Sequence, residues 1–241
     1  MRSTRSLPTF QPARTRSAVM RRYPHRPVRG LRIGIDTSYN EDQVDAEIIQ
    51  ALREVRSVLE RQGATIRDEN VPGYTALTQG WGSIAGVEAA IVHAKTYPSR
   101  ASEYGPAVSG AVAGLIEHGR TVTASDLMQV HYARLAFGGA LAALFHQVDL
   151  LLIPVQPLAN FTIANEAELF AQPEALSAFL RFTAPFDMSG SPTITLPGGF
   201  TLAGLPIAFQ LVSRHLDEAL LVQAAHDYQQ VTNWHRKHPR L

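Results

Sequence analysis

The chain has 241 residues, 45% of them hydrophobic and 18% charged, and a formal net charge of +1. That is the composition of one sizeable packed domain or of part of a larger one, and it gives no general reason to expect a nucleic-acid partner. With no cysteine, disulfides, thiolate metal sites and a cysteine nucleophile are excluded, and no apolar run reaches the ~18 residues that a membrane-spanning helix needs.

Residues 1–29 stand apart. Arg2, Arg5, Arg14, Arg16, Arg21, Arg22, Arg26 and Arg29 occur among Ser, Thr and Pro, and no acidic residue precedes Asp36. Such a segment reads as a disordered leader, because Pro8, Pro12, Pro24 and Pro27 oppose a continuous helix. A basic nucleic-acid arm, a transit-type presequence, or a scar of an altered reading frame or start site has the same composition.

From Gly30 the pattern is that of an α/β domain. LRIGI at 31–35 is a short strand. Asn40, with Gln43 three residues on, is placed to cap the following helix. Val44, Ile48, Leu52, Val55 and Leu59 recur at helical spacing, and Gly63 is a fitting stop. ATIRDENVP then reads as a second strand closed by Pro72, completing a βαβ-like unit and pointing to a parallel pairing.

Residues 74–147 read as helical. GWGSIAG at 80–86 looks like the glycine-rich opening of a helix. Thr123 or Ser125 is placed to cap a long helix whose Leu127, Val130, Phe137, Leu141 and Leu144 share a face. Gly138 and Gly139 inside it either permit a close helix crossing or are merely tolerated, at ~1 kcal/mol each relative to alanine. DLLLIPV at 149–155 has the profile of a strand buried on both faces. PTITLPGGF (192–200) and LPIAFQLVS (205–213) are two further strands parted by a turn at Ala203-Gly204, and a last helix begins near Asp217.

Other constellations are thin. His235 and His238 stand three residues apart, but Pro239 and the terminus point to a frayed tail (237–241) rather than a rigid metal site, and neither HExxH nor a cysteine-containing zinc spacing occurs. Ser83, Asp126 and His131 contain the residue types of a hydrolytic triad but lack a GxSxG elbow. GIDTSYNEDQ lacks the GxGxxG fingerprint of a dinucleotide site. No cofactor or metal is implied.

Five runs in order carry a family likeness. RPVRGLRIGID (26–36) resembles a "GLriGv" strand, and DLLLIPVQP (149–157) a "DvLltPt" strand. TAPFDMSGSPTITLPGGF (183–200) resembles "APxNxxGxPaxxxPxGf", and GLPIAFQLVS (204–213) resembles "GLPiGxQlvg", with DEALLVQAAHDYQQVTNWH (217–235) as a closing helix and Trp-His pair. The set resembles the C-terminal half of amidase-signature hydrolases. The resemblance implies a layered α/β/α fold with a mixed, partly parallel sheet over residues 30–236. It implies hydrolysis of carboxamides to a carboxylic acid and ammonia, without a cofactor; the lack of cysteine and of a membrane-length apolar run separately points to a soluble, cytoplasmic protein. It also places a substrate pocket at Pro154, Val155, Gln156, Phe186 and Asp187, although Gln156 stands where many relatives carry a small hydroxylated residue.

In that family a serine nucleophile, a second serine in a cis peptide and a lysine base do the chemistry, with the serines in a GGSSGG-type stretch before the GLRIG strand. Here no Ser-Ser pair occurs, and the only lysines are Lys95 and Lys237, both after that strand. No catalytic residue can be assigned. A serine needs an adjacent base, and its oxyanion needs preorganised N–H donors. The expectation is a truncated form, inactive alone. It binds a small amide only when completed by a catalytic half, through a partner polypeptide or self-association; a non-catalytic remnant or binding module is the alternative.

Overall fold

The computed structural model describes residues 27–104, 108–160 and 172–238; the greater part of the Arg-rich leader lies outside them. Strand β1 (Arg32–Ile35) leads through the short helix α1 (Thr37–Glu41) and helix α2 (Ala46–Arg61) to β2 (Thr65–Asp68). Ile48, Leu52, Val55 and Leu59 of α2 are all buried, as their spacing predicts. Gly63 follows α2 at φ 94°, a left-handed turn that only glycine adopts cheaply. β2 then returns parallel to β1, with Arg32 opposite Thr65, closing the βαβ unit.

Three long helices follow: α3 (Thr75–Val92), α4 (Val108–Thr121) and α5 (Ala124–Leu144). α5 opens on a reciprocal cap in which the Thr123 hydroxyl accepts from the Asp126 N–H and the Asp126 carboxylate accepts from the Thr123 N–H. Strand β3 (Leu150–Pro154) is buried throughout, α6 (Pro173–Leu180) and α7 (Ala184–Ser189) follow, and β4 (Thr193–Phe200), β5 (Pro206–Val212) and α8 (Glu218–Val231) complete the described fold.

The sheet order is β2-β1-β3-β5-β4. β1 is parallel to both neighbours, whereas β5 runs antiparallel to β3 and β4, so the sheet is mixed. Alternation along β5 separates the layers. Phe209 turns to α8, its ring 5.0 Å from that of Tyr228. Gln210 turns the other way and donates to the Phe182 carbonyl at 3.1 Å, just ahead of α7. Helices thus cover both faces, giving an α/β/α arrangement. At the start of β1 and β3, Asp149 fixes the register: its carboxylate accepts from the Arg32 N–H at 2.9 Å and from the guanidinium Nε at 3.2 Å.

Two local expectations are corrected. Asn40 does not cap α2; it lies buried inside α1 and donates to the Leu152 carbonyl at 2.9 Å, while Asp45 occupies the N-cap of α2. Asp36 caps α1 instead, accepting from the Tyr39 N–H at 2.9 Å. GWGSIAG is not the opening of a helix but lies inside α3. The glycines there make room for neighbours: a methyl on Gly80 would stand 2.6 Å from Val130, and one on Gly86 would stand 2.8 Å from the Leu115 carbonyl oxygen.

Candidate functional site

The sequence places a pocket at the C-terminal end of β3 and in the segment before β4. Pro154 ends β3, buried and paired with Phe209 of β5. Val155 and Gln156, half-buried, line a cavity of about 160 Å³ together with Ile48, Ala159 and Ile207. Two carboxylates from the start of α2 hold its rim. Asp45 donates its N–H to the Pro157 carbonyl at 2.9 Å and accepts from the Ala159 N–H at 2.8 Å. Glu47 accepts from the Asn160 side chain at 2.8 Å and from the Leu202 N–H at 2.6 Å. The Gln156 amide turns back on its own loop, donating to the Leu158 carbonyl at 3.1 Å.

The segment before β4 lies elsewhere. Phe186 is buried in the core, its ring edge-on to Phe137 at 6.2 Å, and Asp187 is exposed on α7. Neither lines the cavity of Val155 and Gln156. The five residues therefore form two places: a small cavity beneath the β3 loop, and an anchor of α7 against α5.

Reading by spacing missed a serine pair. In Ser189-Gly190-Ser191 the two hydroxyls lie 2.9 Å apart, brought together by the left-handed turn at Gly190. The Ser189 hydroxyl also donates to the Phe186 carbonyl at 3.1 Å, and the His215 ring meets the Ser189 carbonyl oxygen, not a hydroxyl. Neither lysine serves this pair. The Lys237 ammonium sits 4.5 Å over the Trp234 ring and 5.2 Å over Phe200, and Lys95 is exposed in the turn after α3. The other triad-type residues are also apart in role. Asp126 is engaged in the cap of α5, which holds its carboxyl below the usual range through the Thr123 hydroxyl and N–H. His131 is exposed beside Tyr132, and Ser83 is half-buried within α3. Among the described residues no group of His, Asp and Glu is arranged to hold a metal ion, and no helix is long and apolar enough to cross a membrane.

The amidase family model matches residues 5–222 of this chain. The chain belongs to the amidase family. Among curated relatives of this amidase-family chain, the putative amidase AmiD of Mycobacterium tuberculosis is 42% identical over 153 residues, which is 64% of this chain and 31% of the relative. An amidase of Pseudomonas putida is 32% identical over 217 residues, 89% of this chain and 46% of that protein. The solved allophanate hydrolase of Kluyveromyces lactis shares the fold at a TM-score of 0.66 and 19% identity, covering 87% of this chain and 33% of that one. The chain thus spans less than half the length of these relatives.

Proposed function

We propose that these 241 residues form one half of an amide-hydrolysing unit, with substrate a carboxamide and products a carboxylic acid and ammonia, and that they do not hydrolyse amides alone. One observation carries the reading: the sequence holds no Ser-Ser pair and only two lysines, Lys95 in an exposed turn after α3 and Lys237 over the Trp234 and Phe200 rings. A serine without a base is a poor nucleophile at neutral pH. The nucleophile and its base come from outside these residues.

The surface supports a partner. Along α5, Met128, Tyr132 and Leu135 form one stripe and are 45%, 63% and 61% exposed. Methyl groups built on Gly138 and Gly139 would meet nothing within 4 Å, so these glycines serve no crossing inside the described chain. An apolar stripe beside small residues suits burial against another polypeptide, and the occupant we assign is the part of an amidase fold that carries the serines and lysine.

The purified chain is tested with a fluorophosphonate serine probe and a simple carboxamide. No label and no ammonia release are expected from the chain alone, with activity appearing when a polypeptide bearing a GGSSGG-type stretch is co-expressed. Turnover or covalent labelling of the isolated chain would overturn the proposal. The competing reading, a non-catalytic binding module, is favoured by a wide cleft between α3, α4 and α6.

A further inference from the structure

A cavity of about 270 Å³ opens between the end of α5 and the segment joining β5 to α8. Leu141 and Phe145, both buried, give it an apolar wall. Its polar wall holds His146, Ser191, Arg214 and His215, and among the described residues no Asp or Glu lines it.

The polar groups are each held at one end and left open at the other. Arg214 donates from Nε to the Asp217 carboxylate at 3.0 Å. Among the described residues its guanidinium makes no other hydrogen bond, so the two terminal nitrogens remain as a forked pair of donors. His215 meets the Ser189 carbonyl oxygen through Nε2 at 3.0 Å. A carbonyl only accepts, so Nε2 carries the proton, and Nδ1 of the neutral ring is left as an acceptor.

The serine pair adds a second acceptor. Ser189 gives its one hydroxyl proton to the Phe186 carbonyl at 3.1 Å. Ser191 must then be the donor across the 2.9 Å contact with Ser189, and its own oxygen keeps lone pairs but has no proton to offer.

A forked cationic donor thus stands with two acceptors beside an apolar wall. A carboxylate or a sulfate ester suits the donor but opposes the acceptors, because neither carries a proton near neutrality. A phosphomonoester suits both. Its second proton is lost with a pKa of about 6, so the monoanion has oxygens that accept and a P–OH that donates.

We infer that this cavity binds a small phosphomonoester with an apolar or aromatic body. The phosphate accepts from the terminal nitrogens of Arg214, its P–OH donates to His215 Nδ1 or to the Ser191 oxygen, and the body lies against Leu141 and Phe145. His146, exposed at the rim, adds an imidazole for a further oxygen. The assignment is to binding alone and does not rest on the hydrolytic reading.

Phenyl phosphate and phenyl sulfate share a ring and a tetrahedral anion and differ in that proton. Titrated into the full chain at pH 6 by isothermal calorimetry, phenyl phosphate is expected to bind about tenfold more tightly or better. Moving to pH 8 should weaken phenyl phosphate by about tenfold or more, since the proton that the acceptors require is lost; attraction of the dianion by charge alone would strengthen it instead. Arg214→Gln, at a side chain that is 50% exposed, should keep the parent's unfolding midpoint and weaken phenyl phosphate by about tenfold or more. Arg134→Gln, at an exposed position of α5 outside the cavity, should change neither. No binding of phenyl phosphate, equal binding of phenyl sulfate, tighter binding at pH 8, or an equal loss in the two arginine variants would each overturn the inference.

Discussion

Gly114 and Gly119 lie five residues apart on α4, and the structure gives the same substitution opposite signs at the two. A methyl at Gly119 would stand 2.0 Å from the backbone carbon and oxygen of Gly86 in α3. Carbon atoms rest at about 3.5–4.0 Å, so α3 and α4 would have to separate by about 1.5 Å at their crossing. Overpacking of this kind costs about 1–3 kcal/mol, and because backbone rather than a flexible side chain is struck, the upper part of that range applies. The better helix propensity of alanine returns ~1 kcal/mol, leaving Gly119→Ala destabilised by about 1–2 kcal/mol. Gly114→Ala meets nothing and should gain up to ~1 kcal/mol. The two variants then differ by roughly 1–3 kcal/mol, or about 2–12 °C in unfolding midpoint for a chain of this size. Thermal unfolding followed by circular dichroism reads this directly. A Gly119→Ala chain unfolding at or above the parent midpoint, or a Gly114→Ala chain falling as far as Gly119→Ala, would refute the reasoning.

Three other outcomes are expected. Phe137→Ala, which empties a buried site edge-on to Phe186, should cost about 3–5 kcal/mol in urea denaturation, and the double-mutant cycle with Phe186→Ala should show a coupling of about 0.5–1.5 kcal/mol. Thr123 depresses the Asp126 carboxyl, so that group stabilises the fold above its unfolded value of about 3.9 and loses the contribution as pH falls through the lower folded value. Asp126→Asn should therefore be less stable than the parent at pH 7 and converge with it in acid; a constant gap between pH 7 and pH 2 would contradict the cap's role. Replacing Tyr132 and Leu135 with glutamate should reduce co-purification of the chain with a co-expressed polypeptide bearing a GGSSGG-type stretch while leaving its helical content unchanged; undiminished co-purification would show that the α5 stripe does not mediate contact.

What the sequence disclosed was whatever a single segment encodes. The run Leu150–Pro154 reads as a strand covered on both faces, and it is buried throughout. The 3.6-residue recurrence from Ile48 to Leu59 marks the buried face of α2 because the face is continuous along one helix. The ordered family runs gave the mixed sheet and layered helices for the same reason. The cleft escaped such reading because its walls come from residues 43, 74–82, 114–118 and 176–181, which no local period connects. Arg181 sits between Leu180 and Phe182 with nothing in its neighbours to separate a buried cation from a surface one. Asn40 looked like a cap because its residue type suits one; only the β3 carbonyl across the fold shows why it is buried instead.

Glu47 has a mechanical consequence. One carboxylate at the first turn of α2 grips the side chain of Asn160, beyond β3, and the backbone of Leu202, at the bend joining β4 to β5. These segments are far apart in the chain, yet one side chain ties the loop after β3 to the tip of the β4–β5 hairpin, so losing the Glu47 carboxylate would release both at once.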